Sequence, residues 1–155
     1  MKVRRFQDAD AVEVSALIAK TLRTTNSKDY SPEYIENDVN KLGPEQIKQR
    51  AGWTHFYVVS DGDKIVGCGA IGPYWGKTDE SSLFTIFVLP EYQGKSVGRK
   101  IIDTLEQDEY FLRAKRIEIP ASITALGFYK KMGYDHKPGH EQPDEEQLYR
   151  LEKHR

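Results

Sequence analysis

Two stretches of this 155-residue sequence carry residue types suited to binding phosphate. Gly67-Cys68-Gly69-Ala70-Ile71-Gly72 spells G-x-G-x-x-G, the letters of a dinucleotide-binding turn. That chemistry needs the glycines to leave a strand and open a helix, so that pyrophosphate meets free amides. Here Pro73, Tyr74 and Trp75 follow at once and the flanks read as strand, so the glycines are expected to relieve crowding in a hairpin strand. Gly94-Lys95-Ser96 resembles the end of a triphosphate-wrapping G-x-x-x-x-G-K-S loop, but Leu89 occupies the place of its first glycine. A better reading takes Val88 to Lys100 as a buried strand, a short turn and a helix start rich in small residues. The free amides and dipole of that helix suit a diphosphate, with Lys95, Arg99 and Lys100 adding positive charge. The alternative is a solvated basic helix end.

The remaining reactive residues are sparse. Cys68 is the only cysteine, which excludes an intrachain disulfide. Its strand context and lack of a neighbouring base point to a buried, inert thiol. His136 and His140 are four apart, but Pro138-Gly139 between them excludes a helical metal pair, and no metal is expected. His154 lies in the tail, and His55 begins a strand from which it can face a site. With 23 basic against 24 acidic residues the net charge is −1, which argues against a sequence-independent nucleic-acid binder. No apolar run approaches the ~20 residues that span a bilayer, and MKVRRFQDAD lacks a secretory apolar core. A cytoplasmic protein with no membrane partner is expected.

The elements that must position these residues follow from periodicity. Val3 to Phe6 is a short strand, and Asp10 with Glu13 reads as a capping box before a helix over 11–22. Ser31-Pro32 starts a second helix, which Gly43-Pro44 stops, and the same pair can open another short turn. Asp61-Gly62 between two apolar runs predicts a hairpin, followed by a strand over 82–88 that is apolar on both faces and therefore central. A helix from the Gln93–Gly98 region, a strand at 117–119, a helix over 123–132 and a C-terminal hairpin complete the order. The order β-α-α-β-β-β-α-β-α-β-β implies an α/β fold, a single domain over 1–155 with a mixed sheet and helices on both faces.

On two of these segments the sequence resembles the GCN5-related N-acetyltransferases. Gln93-Gly94-Lys95-Ser96-Val97-Gly98 after Val88-Leu89-Pro90 is similar to that family's acetyl-CoA motif, [Q/R]-x-x-G-x-[G/A] after V-x-P. Ala125 to Tyr134 is similar to its A-x-x-F-Y-x-K-x-G-[F/Y] segment. The resemblance implies that backbone groups of Ile86, Phe87 and Val88 pair with the pantetheine arm of acetyl-CoA. Gly94, Lys95, Ser96, Val97, Gly98 and Arg99 would cradle the pyrophosphate, with Gln93 leading into the cradle, and Phe128 or Ser122 would touch the pantetheine or sulfur end. Tyr129 would protonate the departing thiolate. Ser96 replaces the usual glycine, and Ser122 stands where many relatives carry asparagine.

The implied reaction is direct acetyl transfer to a primary amine, with a catalytically silent CoA-binding sensor or assembly module as the alternative. An ammonium of pKa near ~10 must lose a proton before it attacks. Glu118, on the strand before the second motif, is the candidate base, against an exposed strand carboxylate; Glu80, Asp79, His55 and water are the others. The resemblance divides the chain into an acceptor-side part, 1–55, and an acetyl-CoA-binding part, 56–155. Tyr30, Tyr74 and Trp75, with Tyr34, would line the acceptor pocket. Asp29, Glu33, Glu36 and Asp38 read chiefly as a solvated helix face that can also favour a cationic amine. The expected partner is a small-molecule or peptide amine acceptor, and a homodimer is left open.

Overall fold

The computed structural model describes all 155 residues. Strand β1 (Lys2–Arg5) is followed by α1 (Ala11–Thr24), α2 (Pro32–Lys41) and α3 (Pro44–Trp53). Then come β2 (His55–Asp61), β3 (Lys64–Pro73), β4 (Glu80–Val88), α4 (Val97–Leu105) and α5 (Glu109–Leu112). The chain ends with β5 (Arg116–Ser122), α6 (Leu126–Lys131), β6 (Asp135–His136) and β7 (Leu148–His154). The strands form one sheet in the order β1-β2-β3-β4-β5-β7-β6, antiparallel except for the β4–β5 pair. Helices α1 and α4 pack on opposite faces of β3 and β4, so the expected mixed, two-faced α/β architecture is present.

Local signals explain most boundaries. The Ser31 hydroxyl accepts a hydrogen bond from the Tyr34 amide, capping α2 ahead of Pro32 at its first position. Gly62, at φ +60°, turns the β2–β3 hairpin. Two expectations need correction. Asp10 does not cap α1: its carboxylate takes the Gln7 amide and a forked pair from Arg4, while Glu13 reaches across to the Ile65 amide at 2.7 Å. Gly43-Pro44 opens the full ten-residue helix α3 rather than a short turn, because the proline suits a first helical turn.

The G-x-G-x-x-G stretch lies wholly within β3. A side-chain carbon on Gly69 would stand 2.5 Å from Ile101 Cγ2, so the glycine lets α4 lie close on the sheet. In α4 itself, Val97, Ile101, Ile102 and Leu105 are buried and fix the helix whose first turn opens the site.

Candidate active site

Strands β4 and β5 pair only at Glu80–Ser82 against Arg116–Glu118 and then part. A bulge in β4 accompanies the parting: Cys68 faces Phe87 and Ala70 faces Phe84, so Thr85 and Ile86 oppose Gly69 alone. Thr85 takes φ +56°, a conformation a β-branched residue adopts only under constraint. Two contacts hold it: Arg50 Nη1 donates to Thr85 Oγ1 at 2.7 Å, and Cys68 Sγ donates to the Thr85 carbonyl at 3.3 Å.

The gap widens into a cavity of about 570 Å³. One end is the turn into α4. There the backbone N–H groups from Gly94 to Arg99 donate to no backbone carbonyl, and Gly94 and Ser96 are left-handed at φ +78° and +66°. Alternating left-handed residues ahead of a helix turn successive amides toward one concave point, an arrangement that attracts anions. Gln93 Nε2 ties this turn to Thr25 Oγ1 and to the Val88 carbonyl, both at 3.2 Å. Gly98 has the Phe128 ring against it, where an added carbon would stand 3.0 Å from Cζ.

Mid-cavity, Ile86, Phe87 and Val88 face Ser122, Phe128 and Tyr129 across the gap. The Tyr129 ring is 5% exposed and no protein group hydrogen-bonds its hydroxyl. Burial pushes its pKa up, so it keeps its proton at neutral pH. Burial likewise pushes the Cys68 thiol up to about 12, which removes it as a nucleophile and agrees with the reading of an inert core thiol.

The far end is walled by Tyr30, Tyr34, Ile35 and Asp38 and by Leu148 on β7. Tyr30 and Tyr34 stack with centroids 4.4 Å apart. The Tyr30 hydroxyl donates to the Gln147 carbonyl and accepts from the Ile123 amide, both at 2.8 Å, and the Tyr34 hydroxyl donates to the Glu146 carbonyl at 2.6 Å. Two tyrosines of the N-terminal part thus pin the 137–147 connection over this end.

Four residues singled out from sequence lie elsewhere. Glu118 does not reach the cavity. Its side chain is 4% exposed and clamped by Arg116, with Lys137 at 3.3 Å and Arg150 at 4.0 Å; Arg116 also binds Glu80 and Glu152. The Glu118 carboxylate is committed to three cations and lies outside the cavity lining, so the structure does not bring the expected base to the site. Tyr74 lies under Arg116, and Trp75 is 84% exposed in the turn after β3; neither lines the cavity, because that turn projects from the opposite end of β4. Lys95 points away and sits 5.2 Å over the Tyr92 ring. Sequence reasoning missed Thr21, whose hydroxyl contacts the Val88 carbonyl at 3.2 Å, and the Thr85 bulge with Arg50 behind it. No motif flags them, since each acts through a contact between distant segments.

A family model described as an acetyltransferase (GNAT) domain matches residues 52–136, which include the parted strands, the amide turn and Tyr129. The chain belongs to the GNAT family. Among curated relatives, this GNAT chain is 27% identical over 108 residues to N-acetyltransferase YodP of Bacillus subtilis, which covers 68% of this chain and 34% of YodP. It therefore spans about a third of that relative's length. It is 22% identical over 134 residues to YafP of Escherichia coli, an uncharacterised N-acetyltransferase, covering 86% of this chain and 81% of that one. Among solved structures, the PaiA N-acetyltransferase of Thermoplasma acidophilum in complex with coenzyme A superposes at TM-score 0.82 with 16% identity, covering 99% and 98% of the two chains. Rv2747 of Mycobacterium tuberculosis in complex with CoA and NLQ gives 0.71 at 19% identity, covering 100% and 99%. These superpositions show that the GNAT fold extends over the whole chain. No helix is long and apolar enough to cross a membrane.

Proposed function

We propose that this protein is an acetyl-CoA-dependent N-acetyltransferase that acts on a primary amine. The observation that carries the reading is the continuity of one cavity from the free amides of Gly94–Arg99, through the parted β4 and β5, to the unpartnered hydroxyl of Tyr129. Acetyl-CoA supplies an activated acetyl thioester. The cradle of Gln93, Gly94, Ser96, Val97, Gly98 and Arg99 binds its diphosphate with backbone donors and one guanidinium, and Lys95 contributes only at long range. Beyond Ser82 the β4 backbone at Ile86, Phe87 and Val88 has no strand on its β5 side, so it is free to pair with the amides of an extended arm. Ser122 and Phe128 border the same passage.

Tyr129 holds its proton at physiological pH and gives it to the thiolate as the C–S bond breaks. The attacking amine must arrive neutral or lose a proton on arrival. With Glu118 tied into its ion-pair cluster, water at the acceptor end carries that proton away. The division of labour follows the chain: 56–155 supplies most of the CoA side, and 1–55 supplies Tyr30 and its neighbours on the acceptor side.

A thiol-release assay with acetyl-CoA against a panel of primary amines tests the reading. Amine-dependent release of CoA is the expected result. Tight CoA binding with no release for any amine would leave a silent CoA-binding domain instead.

A further inference from the structure

The acceptor end of the cavity holds a charge that nothing in the protein satisfies. Three of the residues lining the cavity are charged: Arg99 at the amide cradle, Lys131 at the end of α6, and Asp38 on α2. Asp38 is therefore the cavity's only carboxylate. It is half-buried and forms no hydrogen bond or ion pair. Burial pushes its pKa up, Lys41 on the same helix pulls it down, and Glu146 of the overlying connection pushes it up again. Tyr30 and Tyr34 are its other titratable neighbours, and both hydroxyls are committed to loop carbonyls.

The acids around it differ. Glu36 is paired with Arg23 at 2.7 Å, and Asp144 and Glu146 are paired with Arg150 at 2.7 and 2.9 Å. A desolvated carboxylate with no partner is costly to keep, and Arg23 and Arg150 are engaged by these other acids. Asp38 lies one turn after Tyr34, so the carboxylate and the stacked tyrosine faces border one space. Both features attract a cation. The wall between this point and the parted strands is apolar, made by Ile35, Leu83, Ile119, Pro120 and Leu148.

We propose that Asp38 holds a second, non-reacting ammonium of the acceptor, so that the substrates are aliphatic diamines or longer polyamines whose methylene chain lies along the apolar wall. The reacting nitrogen is the wrong partner for this carboxylate. An adjacent negative charge favours the protonated amine, which cannot attack, whereas a distal ammonium keeps its charge throughout. The inference rests on the transferase reading for turnover but not for binding.

The test compares putrescine and spermidine with butylamine in the thiol-release assay, using wild type, Asp38→Asn, Asp38→Glu and, as a control, Glu36→Gln. Wild type should favour putrescine or spermidine over butylamine by about tenfold or more in kcat/KM, with the difference in KM, as a charge-assisted contact implies. Asp38→Asn should bring the ratio to within about twofold without altering the shape of the pH profile, Asp38→Glu should partly restore it, and Glu36→Gln should keep it. An unchanged ratio in Asp38→Asn overturns the proposal. So does an equal fall in kcat for all the amines with loss of the acid limb of the profile, which would make Asp38 the base. Calorimetric titration of putrescine and spermidine into the CoA-saturated protein reads the same contact without chemistry. If wild type releases no thiol with any amine, the transferase reading fails, while binding that Asp38→Asn weakens about tenfold still upholds the anchor. Absence of any diamine or polyamine binding by wild type refutes it.

Discussion

The two ends of the cavity are built from different material. The end at α4 is made of backbone: six free amides, two left-handed residues and a glycine against which a ring rests. The end at α2 is made of side chains: two stacked tyrosines, an unpaired carboxylate and a loop pinned from over a hundred residues away. Backbone recognition constrains residue size and dihedral angle, which leaves glycine, serine and proline at fixed spacing in one short stretch. Side-chain recognition constrains only what the fold happens to bring together. The first kind of site commits the molecule to one ligand chemistry; the second can be respecified by a few substitutions.

The largest expected effect strikes the backbone end. Gly98→Glu puts a carboxylate beside the proposed phosphate cradle and drives Phe128 aside, so acetyl-CoA affinity should fall by about a hundredfold or more in a calorimetric titration. Affinity within error of wild type would remove the cradle from this turn. Next, Tyr129→Phe deletes the proton at the centre of the cavity: kcat should drop by about a hundredfold while acetyl-CoA affinity changes by less than about twofold. An unchanged kcat would leave proton donation to water.

Glu118→Gln separates the ion-pair cluster from the chemistry. It leaves Arg116 short of one partner and should lower stability to urea by about 3 kcal/mol, with the pH profile of kcat unmoved. A profile that loses its acid limb would return Glu118 to the role of base. The same cluster predicts acid sensitivity. Although burial alone would raise Glu152, hydrogen bonds with Arg116 and His154 hold it below the usual carboxylate range. A depressed folded-state pKa contributes stability at neutral pH that is lost as pH falls through that depressed value, so the melting temperature should decline in acid. Smallest of all, Ser96→Gly releases a left-handed serine and should add about 1 kcal/mol to stability, read as a small upward shift in melting temperature. A loss of stability instead would mean that the Ser96 hydroxyl has a compensating partner.

Legibility in the sequence divides along the same line. The hairpin at Asp61-Gly62, the Ser31-Pro32 helix start and the strand-turn-helix around Gly94 were readable because each signal is local and steric. The capping box at Asp10 and Glu13 was misread because both carboxylates found better partners in Arg4 and the Ile65 amide, which no local pattern announces. Glu118 was legible as a strand carboxylate near the second motif. What its side chain meets was not, since Arg116, Lys137 and Arg150 converge from three segments. Tyr74 and Trp75 looked like pocket aromatics by composition. Their turn lies at the opposite end of β4 from the α4 turn, so distance along the fold outweighed residue type.

The two residues opposite Gly69 in β4 amount to a phase change in the strand's alternation. Before the bulge, Glu80, Ser81 and Ser82 pair with β5; after it, Ile86, Phe87 and Val88 line the cavity with no strand on that side. Losing one residue here would restore the regular count, keep Phe87 opposite Cys68 and Val88 opposite Gly67, and erase the bulge that accompanies the parting of β4 from β5, while leaving the composition almost untouched. The length of β4 therefore has to be kept to the residue, whereas the 137–147 connection can change length and sequence wherever Tyr30 and Tyr34 keep their carbonyls. Variation among related chains, and insertions in a directed library, should be read with those two tolerances in mind.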